Sequence, residues 1–228
     1  MSRFGLPSFL SLSLCLLAVP VPVGAETASE RLAESAVVLK EMLDAPDQGV
    51  LEDLLSEAHC VVIVPGLKKG AFLVGAKYGR GFTVCRDDRL SAWGAPAAVR
   101  IEGGSFGFQI GGAETDVVMI VRNRRGMDKL MQSKFTLGGD ADVAAGPVGR
   151  SGSAQTDLKM TAEILSYSRS RGVFAGVSVQ GATLRQDLDE NQEMYGQKLS
   201  NRKILSEGPK APAASAALLA LLNLHARR

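Results

Sequence analysis

Glycine interrupts β-type sequence repeatedly in this chain, and that pattern limits the fold more than any other feature. It is clearest in Gly103-Gly104-Ser105-Phe106-Gly107-Phe108-Gln109-Ile110-Gly111-Gly112. It returns in Ser166 to Ser178, where Gly172 and Gly176 flank Val173-Phe174-Ala175. Glycine inside a strand forfeits side-chain packing and costs backbone entropy, so its repetition marks bends, bulges or close backbone approach. The pattern predicts tightly curved strands and a sheet that rolls toward a barrel.

The chain has 228 residues, 46% of them hydrophobic and 22% charged, enough for one sizeable core. No long Pro/Gly/Ser linker divides it. The net charge is only +2, and no basic stripe is interleaved with aromatics, so nothing points to nucleic acid as a partner and none is expected; a local basic patch stays open.

The first 25 residues stand apart. Arg3 gives a short positive region, Phe9 to Val19 is apolar apart from Ser11 and Ser13, and Pro20 and Pro22 precede Val23-Gly24-Ala25. This predicts a secretory signal over residues 1–25, an uncleaved anchor being the alternative; the apolar run is short for a membrane span. Cys15 follows Leu14, where a lipoprotein signal wants a small residue. The expected location is therefore exported and periplasmic, peripheral to a membrane. With Cys15 removed, Cys60 and Cys85 remain, each at the end of an apolar run. An even count in an oxidising compartment predicts a disulfide, two buried free thiols being the alternative.

Along the chain, Ser29 is a candidate cap for a helix with Leu32, Ala36, Leu39 and Leu43 on one face. Pro46-Asp47 restart a second helix carrying Val50, Leu51, Leu54, Leu55 and Ala58. Cys60 to Val64 reads as a short strand ended by Pro65-Gly66. Ala71 to Tyr78 and Gly81 to Arg86 read as a hairpin turning at Gly79-Arg80. Strands follow over Val99 to Gln109 and Thr115 to Val121, then an inserted helix over Gly126 to Gln132. Further strand signals span Ala141 to Val148, Thr156 to Tyr167 and Gly172 to Gln180, with a turn at Ser168-Arg169-Ser170-Arg171. A polar helix runs from Leu188 to Tyr195. The tail from Ala211 is rich in alanine and leucine, and either forms an apolar helix or stays loosely ordered. The fold class is α+β: a single domain with a strongly curved or barrel-like antiparallel sheet, N-terminal helices and one inserted helix.

Several blocks together resemble the SYLF domain family: Pro65-Gly66-Leu67-Lys68-Lys69-Gly70-Ala71-Phe72-Leu73-Val74-Gly75, Tyr78-Gly79-Arg80-Gly81 and Trp93-Gly94-Ala95-Pro96-Ala97, then Gly103 to Gly112, Thr115-Asp116 and Ser166 to Gly176. The resemblance spans roughly Leu51 to Gly196 and is to a secreted, bacterial-type branch; with the N-terminal helices included, the expected domain covers residues 26–200, with a tail at 201–228. It implies a non-catalytic module that binds anionic phospholipid of the phosphoinositide type; family members include eukaryotic lipid binders and a yeast actin binder. The eukaryotic mode uses a basic amphipathic N-terminal helix, whereas Glu26 to His59 is acid-rich here, and export would keep this chain from actin.

Chemistry-bearing residues are sparse. His59 and His225 are the only histidines, too few for a histidine-based triad or a multi-histidine zinc site. Asp140, Asp142 and Glu163 are candidates for a carboxylate pair or a hard cation, but Asp140 after Gly138-Gly139 also reads as a turn aspartate. Phe106, Phe108 and Ile110 continue a strand where a dinucleotide loop needs a turn and helix. The expectation is no enzyme, no cofactor and no metal. The binding candidates are the basic clusters Lys68 and Lys69, Arg122, Arg124 and Arg125, and Arg169 and Arg171, beside an anionic membrane surface; a protein partner at the envelope is the alternative. Trp93 is either an interfacial anchor or a core residue.

Overall fold

A computed structural model of the chain describes residues 26–44, 48–72, 74–87, 92–106, 111–146, 162–170, 173–176 and 179–225. The predicted signal segment, Arg171, and the predicted strand residues between 147 and 161 lie outside the described residues.

Two helices come first, α1 (Ala28–Leu43) and α2 (Gln48–Glu57). Thr27, not Ser29, caps α1. Its side chain accepts from the Glu30 amide at 3.2 Å while the Glu30 carboxylate accepts from the Thr27 amide at 2.8 Å. This reciprocal pair satisfies two of the helix's orphan donors, which Ser29, inside the first turn, cannot do.

The strands are β1 (Cys60–Phe72), β2 (Val74–Cys85), β3 (Ala97–Phe106), β4 (Gly111–Val121), β5 (Lys134–Thr136), β6 (Val143–Ala145), β7 (Ile164–Ser170), β8 (Val173–Gly176) and β9 (Thr183–Gln186). They form one sheet in the order β5-β9-β3-β2-β1-β4-β7-β6, with β8 pairing β7. Every pairing is antiparallel except β6 with β7. The order β4-β1-β2-β3 is a Greek key, so β3 and β4 are not neighbours despite their closeness in sequence. The inserted helix α3 (Arg124–Leu130) starts two residues before the predicted position, capped by Asn123 through the Gly126 amide at 2.9 Å.

Pro65-Gly66 does not end β1. The strand continues through it as a bulge, with the register shifting on both sides and Gly66 at φ 56°. A bulge leaves a residue unpaired, so the missing proline N–H costs no ladder bond there. The predicted turn at Gly79-Arg80 is consequently mid-strand, and the β1–β2 pairing runs out to Phe72 opposite Val74. Gly81 explains how the bulge fits: a Cβ there would lie 2.0 Å from the Ile63 carbonyl oxygen. Ser168, Arg169 and Ser170, predicted to turn, belong to β7, and β9 had no distinct signal in the sequence.

One core cluster contains Val62 and Val64 of β1, Val99 and Ile101 of β3, Val117 and Met119 of β4, Phe135 of β5, Val143 of β6, Ile164 of β7 and Leu184 of β9. Strands from both ends of the sheet can share a core only if the sheet curls around it, giving a half-barrel with α3 residues Met127 and Leu130 against its interior. The alternate side chains, including Val61, Ile63, Phe82, Val84, Val118 and Ile120, face outward and are covered by α1, α2 and α6 (Ala216–His225). A third, smaller cluster packs α4 (Leu188–Tyr195) and α5 (Asn201–Glu207) against the start of β3.

Cys60 and Cys85 are direct cross-strand partners and form a buried disulfide, S–S 2.06 Å. Trp93 is buried in the outer core, with the Arg86 guanidinium 4.6 Å from its ring centroid; it is a core residue. The tail helix is likewise part of the fold, because Leu218 and Leu222 are both 0% exposed against α1.

Three outcomes are expected in chemical denaturation. Gly81→Ala loses about 3 kcal/mol from the backbone clash, whereas Gly70→Ala, with nothing within 4 Å of the added Cβ, is neutral or gains about 0.5 kcal/mol. Leu218→Ala loses about 3 kcal/mol; a loss below about 0.5 kcal/mol would show that the C-terminal helix is dispensable.

Candidate functional site

The described residues of the three predicted basic clusters do not gather into one patch. Lys68 and Lys69 are consecutive in β1, so their side chains point to opposite sides of the sheet. Lys68 lies opposite Glu114 and Tyr78 on the outer face, and Lys69 lies opposite Lys77 on the inner one. Arg122 follows Val121, the partner of Cys60, roughly 25 Å along the strands from Lys68 at about 3.3 Å per residue. Arg124 pairs with Asp128 and Arg125 with Glu163, each at 3.3 Å. Arg169 is held by Asp116 at 2.5 Å and by Glu41.

A different set of cations does converge. Register places Arg80 of β2 beside Arg100 of β3, Arg100 beside Arg185 of β9, and Arg185 beside Lys134 of β5. Their strand neighbours Ile101, Leu184 and Phe135 point into the half-barrel, so the row lies on the outer face, spanning about 14 Å at about 4.8 Å per strand. Like charges directly opposed across strands are unfavourable, and carboxylates offset them. Arg80 is bound by Asp187 at 2.8 Å and Glu190 at 3.2 Å, and Glu190 also pairs with buried Arg31 of α1. Burial pushes the Glu190 carboxyl up, against the pull of Arg31 and Arg80. Glu102 bridges Arg100 at 2.8 Å and Arg185 at 3.1 Å. Lys134 is exposed and makes no ion pair with the described residues.

The row borders two adjoining clefts of about 450 and 440 Å³ that share Lys134 and Arg185. Between them they hold Arg100, Lys134, Arg185 and Lys198 against Glu102, Asp140 and Asp189. All three carboxylates have partners: Glu102 in the row, Asp140 accepting from the Thr136 amide at 2.7 Å, and Asp189 with Lys198 at 2.9 Å. Beside the clefts, α4 and α5 are clamped to the start of β3. There the Asn191 and Asn201 side-chain amides engage the Ala98 N–H at 2.7 Å and its carbonyl at 3.1 Å.

A family model described as "Ysc84: Las17-binding protein actin regulator" matches residues 102–225, from β3 to the end of α6. The chain belongs to the Ysc84 family. This is the family resemblance carried by the sequence blocks. Protein YSC84 of Saccharomyces cerevisiae is 31% identical over 91% of this chain and 45% of its own length. SH3 domain-containing YSC84-like protein 1 of Homo sapiens is 31% identical over 90% of the chain and 60% of its own length. An SH3 domain-containing protein of Schizosaccharomyces pombe is 36% identical over 75% of the chain and 40% of its own length. The chain thus spans about half the length of the curated relatives it matches.

The family description names binding and actin regulation, and no reaction. Here His59 sits at the α2–β1 junction, where its amide donates to the Val121 carbonyl at 2.8 Å, and His225 contacts Glu52 at 3.0 Å. Glu163 is buried and accepts from the Asp142 amide at 3.3 Å. Among the described residues no three His, Cys, Asp or Glu side chains are grouped to hold a metal ion.

Arg100, Lys134, Arg185 and Lys198 were not singled out in the sequence. The signal of the three strand residues is present but local: Arg100, Lys134 and Arg185 occupy polar phases, as in Val99-Arg100-Ile101-Glu102 and Leu184-Arg185, and only register joins residue 100 to residue 185. Since Glu102 holds the row together, Glu102→Gln is expected to lose about 0.5–1 kcal/mol at low salt. Much of that loss should return at 1 M salt, where the Debye length is about 3 Å. Denaturation curves at the two salt concentrations check it; a salt-independent loss would assign Glu102 a packing role.

Proposed function

We propose that this Ysc84-family chain is an exported, non-catalytic module that binds anionic phospholipid headgroups at a membrane surface. The observation that carries this reading is the outward-facing row Arg100–Arg185–Lys134, with Lys198 beside it. A basic residue near an anionic bilayer contributes about 1 kcal/mol, so this set gives weak, salt-sensitive, reversible attachment that clustering would strengthen. Export is supported by the character of residues 1–25 and by the Cys60–Cys85 disulfide, which an oxidising compartment would preserve.

A second reading has its own support: the family description names Las17 binding and actin regulation, so the same cationic row would meet an acidic segment of a protein partner. Liposome flotation separates the two. Anionic vesicles should bind the chain at low salt and release it at high salt, while neutral vesicles do not bind it. Lys134→Glu with Arg185→Glu should weaken binding about tenfold or more, since each tenfold is about 1.4 kcal/mol. Arg124→Glu with Arg125→Glu should leave it unchanged. Failure of every vesicle to bind removes the lipid reading and leaves the protein partner.

A further inference from the structure

The inner face of the half-barrel holds a second cationic feature. Lys69 of β1 and Lys77 of β2 are direct cross-strand partners at the hairpin end of the sheet. Leu67, two residues before Lys69, belongs to the inner core, so alternation directs both lysines to the concave side. Their lateral neighbours are small: Ala113 pairs with Lys69 and Gly103 pairs with Lys77. The carboxylates of the adjoining strands, Glu102, Glu114 and Asp116, alternate to the outer face. Among the described residues, therefore, two ammonium groups oppose one another with no ion-pair partner. Burial, together with the charge of Lys77, holds the Lys69 amine below its usual range.

Beside them lies a polar group that is also unmatched. Thr115 of β4 pairs with Leu67 and shares its inward face, diagonal to Lys69. The residue is 8% exposed, and its hydroxyl oxygen is buried without a hydrogen-bond partner. A buried unpaired hydroxyl and an opposed lysine pair each cost stability. One ligand relieves both: a dianion with several acceptor oxygens, which matches two point charges and accepts from the hydroxyl.

We propose that Lys69, Lys77 and Thr115 form an oxyanion site at the mouth of the half-barrel that takes a phosphate group. The group would come either from a phosphomonoester lipid headgroup or from a soluble phosphate. The site lies on the opposite side of the sheet from the Arg100–Arg185–Lys134 row and does not depend on the reading given to that row.

The test is thermal denaturation of the chain in inorganic phosphate against chloride at matched ionic strength. At ten times a millimolar Kd, phosphate should raise the Tm by about 3–5 °C. Lys69→Gln and Lys77→Gln should each remove this rise while leaving the Tm in chloride equal to or above that of the parent chain. Thr115→Val should reduce the rise, and Lys69→Arg, which keeps the charge, should retain most of it. If a glutamine variant fails to fold, the arginine and valine variants still decide the matter. Vesicles then identify the source. Stronger flotation with phosphatidic acid than with phosphatidylglycerol, lost in Lys69→Gln, assigns a lipid monoester; equal flotation with a retained phosphate response assigns a soluble phosphate. The proposal is overturned if phosphate leaves the parent Tm unchanged. It is also overturned if the response survives in both glutamine variants, or vanishes only when Lys134 and Arg185 are reversed.

Discussion

The central strands of this protein are apolar on both faces, and the rest of the structure follows from that. β1 sends Val62 and Val64 to one side and Val61 and Ile63 to the other, all 1% exposed or less. β4 does the same with Val117 and Met119 against Val118 and Ile120. A flat sheet would need two layers of cover. Here the sheet covers its own inner face by curling, and the helices need to cover only the outer one.

That division of labour decides where function can reside. Helices α1, α2 and α6 lie over β1, β2, β4 and β7, which carry the apolar outer side chains. β9, β5 and the later part of β3 carry Arg185, Lys134, Arg100 and Glu102 at the equivalent positions. Nothing apolar there calls for a helix, so the outer face stays open and cationic. The inner face is apolar along its core and ends in the Lys69–Lys77 pair, where the hairpin reaches past the core.

The bulge at Pro65-Gly66 connects the two faces. It shifts the register of β1 against both neighbours and places the Gly66 amide 2.9 Å from the Asp116 carboxylate. Asp116 in turn holds Arg169. A motif that reads as a strand terminator thus keeps a long strand in use. Lys68 and Lys69 then belong to two different surfaces and not to one basic turn, which is why local composition suggested a shared patch that the sheet divides.

The sequence by itself determined the elements whose signals are local. Periodic leucines set α1, the apolar run from Cys60 set the first strand, repeated glycine implied curvature, and the ordered blocks from Pro65 to Gly176 identified the family. Glu163 and Asp140 likewise revealed little beyond local roles. Tertiary structure alone decided strand order, the burial of Leu218 and Leu222, and the meeting of Arg100, Arg185 and Lys134. Each of these depends on register between segments far apart in the chain. A shift of one residue reverses every side chain's face, and no local pattern carries that information.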